Sequence, residues 1–409
     1  MNAECHPEEE LLLRICAANA DRDGKLQEIL GADLDWTRVA NLAARHRVTP
    51  LLHRHLSRVA PEILTQPALK PIVERFLGIA ARNLILTKEL LLLLELFHEN
   101  DISVITFKGP LLAVYAFGDL CGREFGDLDL LLHPADLPKA RRLLESRGYR
   151  PEFDMEAHIE AAYIRSEHAF QYLNGEVVVE LHWRLEDHYL KFPFDTEKLW
   201  SSACSEELFG NPVASLSPEI LFLYLCMHGA KHYWERLEWI ACLPAVMRTY
   251  PSMKWPPVIE MARSIGGLRI LQLGLLLSDR LDPSEATRAP LAMLGRDPIA
   301  EELSATVWAT LFADEIDHSR REAYRFRFYL KSRERLWDRL SIVRSTTIRI
   351  PHPNSDILDR VPLPDSLLFL HYVLGPIRRL KRYGFQGLAG ILNPERIPLV
   401  VLPAGKVKR

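Results

Sequence analysis

ISVITFKGPLLAVYAFGDLCGREFGDLDLLLH, residues 102–133, is the stretch on which the reading of this chain turns. Ile102 to Phe107 is mostly apolar and β-branched at 102, 104, 105 and 106, which predicts a strand. Lys108-Gly109-Pro110 ends it, and Leu111 to Phe117 predicts a helix. A polar, glycine-bearing loop then leads into Asp127-Leu128-Asp129-Leu130-Leu131-Leu132, a second strand. Residues two apart on a strand point the same way, so Asp127 and Asp129 are expected on one face and Leu128 and Leu130 on the other.

Two carboxylates side by side repel each other, and an oxygen-loving divalent cation, commonly Mg²⁺, relieves that repulsion. A third acid has a similar setting. Glu180 sits in Val177-Val178-Val179-Glu180-Leu181-His182-Trp183, a strand by its run of valines. Paired beside the first acidic strand, it would join the two aspartates, and three such acids could hold two Mg²⁺ ions for attack on a nucleoside triphosphate. An acid-x-acid triplet alone is a weak signal, because charged residues are common in ordinary domains. The strand context and the second acidic strand give it weight.

The rest of the chain frames this unit. With 409 residues and 46.9 kDa it is long enough for two or three domains. The net charge of −3 argues against a dedicated nucleic-acid binder. No two of the six cysteines have C-x-x-C spacing, which argues against a zinc or redox motif and for reduced thiols in a cytoplasmic protein. The start, MNAECHPEEE, has no basic leader, and no run approaches the length of a membrane span.

Residues 1–98 read as a helical region packed on the core. Within it, Ile72 to Glu99 predicts one long apolar helix buried on most sides. Residues 99–200 read as the α/β core. Gly148 is expected as a left-handed helix stop, and Asn174-Gly175 as a hairpin turn placing His168 and Phe170 near Val177 and Val179. Residues 201–345 read as a helical domain opened by the cap Ser217-Pro218, with His228, His232 and Glu235 on one face. Residues 281–318 read as loops around one helix. Arginines from Arg320 to Arg349, interleaved with aromatics, suggest either a basic solvent face or a polyanion-binding surface. Residues 346–409 read as a proline-rich linker, a helix over Ser366 to Lys381, and a tail with an apolar run from Ile397 to Leu402.

The sequence resembles an uncharacterised bacterial nucleotidyltransferase-like branch of the polymerase-beta superfamily, often found beside natural-product and surface-polysaccharide genes. The resemblance rests on Phe107-Lys108-Gly109, Tyr115, Arg123, Gly126-Asp127-Leu128-Asp129-Leu130, Gly148-Tyr149, Glu180-Leu181-His182-Trp183-Arg184, and His228-Gly229-Ala230-Lys231-His232 with Trp234-Glu235-Arg236-Leu237. It covers roughly residues 30 to 275. Lys108-Gly109 stands where the superfamily usually has Gly-Ser, the third acid is glutamate, and Cys242 stands where the branch usually has aspartate.

The resemblance implies an α+β fold: a small mixed-sheet nucleotidyltransferase core embedded in mostly helical N- and C-terminal regions. It implies metal-dependent transfer of a nucleotidyl group, ATP being the expected donor, to a small-molecule or peptide/protein acceptor. Asp127, Asp129 and Glu180 would be the catalytic metal ligands. Lys108, Gly109 and Arg123 would hold the triphosphate, with His182 orienting an acid and His228 and Lys231 facing phosphates or a polar network. The alternatives are kinase-like phosphoryl transfer by the same site, or a non-catalytic nucleotide-binding scaffold.

Overall fold

The structure, a computed structural model, describes residues 6–17, 24–155, 160, 161, 163, 164, 167–185, 192–313 and 318–347. The expected linker, last helix and tail lie outside the described residues. Its centre is a five-stranded mixed sheet of β1 (Val104–Thr106), β2 (Leu128–Leu132), β3 (Arg150–Pro151), β4 (Ala169–Asn174) and β5 (Val177–His182), in the order β1-β2-β5-β4-β3. β2 and β5 run parallel, while β1–β2, β4–β5 and β3–β4 are antiparallel. The parallel register sets Asp129 opposite Glu180.

Helices flank the sheet on both sides in sequence. Before it come α1 (Pro7–Cys16), α2 (Lys25–Leu30), α3 (Trp36–Arg45), α4 (Thr49–Val59) and the long α5 (Lys70–Glu99). Within the sheet unit lie α6 (Gly109–Phe117) and α7 (Leu137–Ser146). After it come α8 (Thr196–Ser201), α9 (Pro218–Lys231), α10 (Leu237–Thr249), α11 (Trp255–Ile265), α12 (Leu268–Leu281), α13 (Glu285–Leu294), α14 (Pro298–Thr310), α15 (His318–Ser332) and α16 (Leu336–Thr347). Expected starts recur: Ser217 accepts from the Ile220 N–H at 3.5 Å, and Gly148 ends α7 with φ +86°.

Alternation on β2 sorts its side chains between two cores. Leu128, Leu130 and Leu132 join Leu86, Leu90, Leu93 and Phe97 of α5 under one face. Leu131, with Ile105 and Phe107, turns the other way into a core shared by α1–α4 and α9–α12. Asp129 therefore points into the seam between the sheet and the helices. The N-terminal helices are stitched to that larger core. The Leu237 N–H donates to His46 Nδ1 at 3.2 Å, and the Glu238 N–H to the His46 carbonyl at 3.3 Å.

Four local expectations are corrected. Helix α5 is not buried on most sides: one stripe of three- and four-residue steps meets the sheet, while Leu77, Leu84 and Ile85 are each more than half exposed. A single sheet face can cover only one side of a helix. The hairpin register also differs, because the tight turn after Asn174 pairs Asn174 with Val177, which puts Ala169 against His182 and Phe170 against Leu181. A second hairpin, β6 (Cys204–Leu208) and β7 (Asn211–Ser215), stands where only helix was expected. It turns at Phe209-Gly210, both with positive φ. Residues 285–310 form two helices, α13 and α14, rather than loops around one.

Candidate active site

The site begins where β1 ends. Lys108 caps the entry to α6, and Gly109 follows with φ +56°, its Cα so close to the Asp127 carbonyl that a Cβ would lie 3.4 Å from that oxygen. This turn swings the Lys108 side chain back over β2. Its Nζ lies 2.6 Å from Asp129 Oδ1, with both side chains buried. Phe107 and Tyr224 of α9 flank the ammonium, their ring centroids each 5.7 Å away.

His182, two residues beyond Glu180, closes the other side. Its Nε2 lies 3.1 Å from Asp129 Oδ1 and 3.1 Å from Glu180 Oε2. Carboxylates accept only, so Nε2 carries the proton. Asp129 Oδ1 thus faces two donors, while its Oδ2 is buried without a hydrogen-bond partner. Asp127 lies just ahead of β2 and is half-buried, whereas Glu180 is partly open at 28% side-chain exposure.

The electrostatics follow from this crowding. Burial opposes the Lys108 charge, but Asp129, Tyr224, Asp127 and Glu180 together hold the ammonium well above the ordinary lysine range. Burial would raise Asp129 as well, yet Lys108 and His182 outweigh it and hold this carboxyl below the usual range. Asp127 goes the other way: burial and the neighbouring Asp129 push its carboxyl up. Burial lowers and the two carboxylates raise His182, with a net upward shift, while the His182 bond brings Glu180 down against burial.

The donor set suits a hard divalent cation, as oxygen ligands dominate. Among the described residues, ligand atoms of Asp129, Glu180 and His182 all lie within 4.8 Å of one another. The unpartnered Asp129 Oδ2 is a buried acceptor of the kind a cation would satisfy. The carboxylates present therefore fit a metal, with His182 beside them as the donor that holds Asp129 and Glu180.

The remaining expected residues spread around this centre. Arg123 is buried, and its guanidinium is taken by buried Glu238 at 2.7 Å rather than left open. Cys242, whose thiol burial pushes up to about 12, adjoins that pair. His228 lies on α9 one turn beyond Tyr224; burial, with Lys108 and His232 beside it, drives its ring far toward the neutral form. His228 and Lys231 line a cavity of about 20 Å³ with His168, Tyr224 and Met227. Helix α9 stops at Lys231. His232 still meets the His228 ring edge-on at 4.8 Å and stacks on Trp239 at 4.9 Å, whereas Glu235 binds Arg325 at 3.3 Å. Sequence reading missed Tyr224 and Glu238. Tyr224 sits in an unbroken apolar helix, and Glu238 in a tryptophan-flanked one, so neither has a signal beyond core packing.

Residues 32–282, well over half of the chain, match a family described as uncharacterised nucleotidyltransferase, and the chain belongs to that family. No curated protein matches it. Among solved structures it is similar to a solution structure of the antibiotic-resistance factor ANT(2'')-Ia, with 13% identity over 44% of this chain and 89% of that one, at a TM-score of 0.31. A crystal structure of ANT(2'')-Ia in complex with adenylyl-2''-tobramycin gives 13% identity over 44% and 95%, at 0.30.

Proposed function

We propose that this chain transfers a nucleotidyl group from a nucleoside triphosphate, with ATP as the expected donor, to a hydroxyl or phosphate of a small-molecule or peptide acceptor, and that the reaction depends on Mg²⁺. The observation that carries this reading is Asp129: a buried carboxylate opposite Glu180 across parallel strands, with one oxygen unpartnered. Asp127, Asp129 and Glu180 would hold the metal, which when bound would neutralise charge on the triphosphate. Residues 99–200 would be the catalytic core.

In the transfer, the acceptor oxygen forms a bond to the α-phosphorus as the bond to pyrophosphate breaks. The acceptor's proton goes to Glu180, which is open to solvent where Asp129 is buried. His182 holds Glu180 and Asp129 in place through its Nε2–H. A small acceptor is favoured because three cations of α15 and the turn after it are engaged by carboxylates. Arg325 meets Glu235, Lys331 meets Glu302 at 2.5 Å, and Arg333 meets Asp338 at 2.9 Å.

The test is product analysis with α- and γ-labelled ATP and a cell extract fractionated by size. Pyrophosphate release with α-label in a small-molecule or peptide fraction is the expected result. Diphosphate release with γ-label transferred would replace the reading with phosphoryl transfer. No transfer and no nucleotide binding at millimolar ATP would leave a scaffold.

A further inference from the structure

Resting on the metal-dependent reading above, we infer that Lys108 is a built-in cation that fills one of two cation places, so that the site takes a single divalent ion. A pair of ions about 3.5–4 Å apart is held together well by a carboxylate that gives one oxygen to each. Asp129 is the most deeply placed acid and the natural bridge. Its Oδ1 is already held by Lys108 Nζ at 2.6 Å and approached by His182 Nε2 at 3.1 Å. A carboxylate oxygen offers about two acceptor sites, so Oδ1 has none left for a metal. Only Oδ2 remains, buried and unpartnered.

Lys108 is not a passing neighbour at this position. It is 9% exposed, boxed by Phe107 and Tyr224, and aimed by the positive-φ Gly109 turn packed on the Asp127 carbonyl. Its reach to Asp129 is therefore set by the fold. A lysine here would stabilise charge without exchanging with solvent, which a second metal would do.

The test counts ions spectroscopically. The full chain, saturated with a nonhydrolysable ATP analogue and Mn²⁺, is examined by electron paramagnetic resonance, with Mn²⁺ bound per chain counted by equilibrium dialysis. Wild type should give one tightly bound, magnetically isolated ion per chain. Lys108→Ala, which frees Oδ1 and leaves a void, should double the count and give a spin-coupled pair. Lys108→Met, which fills the void without charge, guards against misfolding of the alanine variant and should still open Oδ1. A spin-coupled pair in wild type would overturn the assignment while leaving the metal-dependent reading intact. So would an unchanged isolated ion in both folded variants. No bound Mn²⁺ in wild type, or bound Mn²⁺ that Asp127→Asn leaves in place, would instead overturn the metal reading itself.

Discussion

Asp129 and Glu180 face each other across the parallel strands β2 and β5, and His182 Nε2 reaches both at 3.1 Å. Asp129 therefore has two duties: it is a candidate metal ligand and the counter-charge of buried Lys108. Asp127 serves mainly the first, and its charge is opposed by burial and by Asp129. The two aspartates should behave differently when changed. Without metal, Asp129→Asn should lose about 3–5 kcal/mol of stability, because it leaves a buried ammonium unpaired. Asp127→Asn should melt at or above the wild-type temperature. Both should abolish Mg²⁺-dependent nucleotide binding. Urea unfolding and calorimetry check this, and equal stability of the two variants would show that the Lys108 pair carries no weight.

The acid constellation was legible because strand alternation and a valine run are local signals. Asp127, Asp129 and Glu180 were singled out from them; the register of β2 on β5 sets Asp129 opposite Glu180, while Asp127 lies ahead of β2. What was not legible depends on contacts distant in sequence. Nothing near Arg123 says that Glu238, over a hundred residues on, takes its guanidinium. Likewise the arginine-rich stretch reads as a surface until its acidic partners Glu235 and Glu302 are brought to it by packing. The exposed Leu84 and Ile85 escaped for the same reason: composition says apolar, but only the sheet decides which side is covered.

The Arg123–Glu238 pair gives a second expectation. Both side chains are buried, so Glu238→Gln should cost about 3–5 kcal/mol by stranding the guanidinium. The double change Arg123→Met with Glu238→Gln should recover most of that loss, since the pair's desolvation penalty disappears with its charge. A double-mutant cycle in urea measures the coupling. A simple sum of two large losses would refute the pairing.

Gly229 should tolerate no side chain. A Cβ there would lie 2.4 Å from the ring of Trp234, which is fully buried and cannot move aside without repacking the core. Gly229→Ala gains helix propensity of about 1 kcal/mol, yet overpacking typically costs about 1–3 kcal/mol. With such a short approach the loss should win, and the melting temperature should fall. A stabilised variant would mean that the Trp234 ring has room that the packing denies.

His46 sets an acid limit on the joint between the N-terminal helices and α10. Its Nδ1 accepts from the Leu237 N–H, and burial, with Arg45 and Arg236 nearby, lowers its pKa to about 3. A depressed histidine binds its proton in the unfolded chain first. Stability from this group is therefore present above about pH 6.5 and lost as pH falls toward 3. Between pH 7 and 5 the loss should be about 2 kcal/mol. Urea unfolding at both pH values should show His46→Leu less stable at pH 7 but lacking that share of the pH dependence. An unchanged slope would mean that other groups govern acid unfolding.

Nucleic-acid binding should be weak, and the reason lies in where the basic residues point. A backbone-binding surface needs several cations free to displace counterions, and binding then falls by roughly one power of salt for each phosphate contacted. Here Arg325, Lys331 and Arg333 are engaged by carboxylates. Arg335 donates to the carbonyls of Arg263 and Ser264, and Arg339 to that of Glu334. Freeing them would cost those pairs, with Lys331 and Arg333 buried outright. Fluorescence anisotropy with RNA and DNA across a salt series should therefore give little binding at physiological salt and a shallow slope at low salt. Changing Arg325 and Arg333 should lower stability more than it lowers nucleic-acid affinity. Tight binding with a steep slope, and α-label from ATP appearing in RNA, would overturn the small-acceptor reading and make the helical region a nucleic-acid platform.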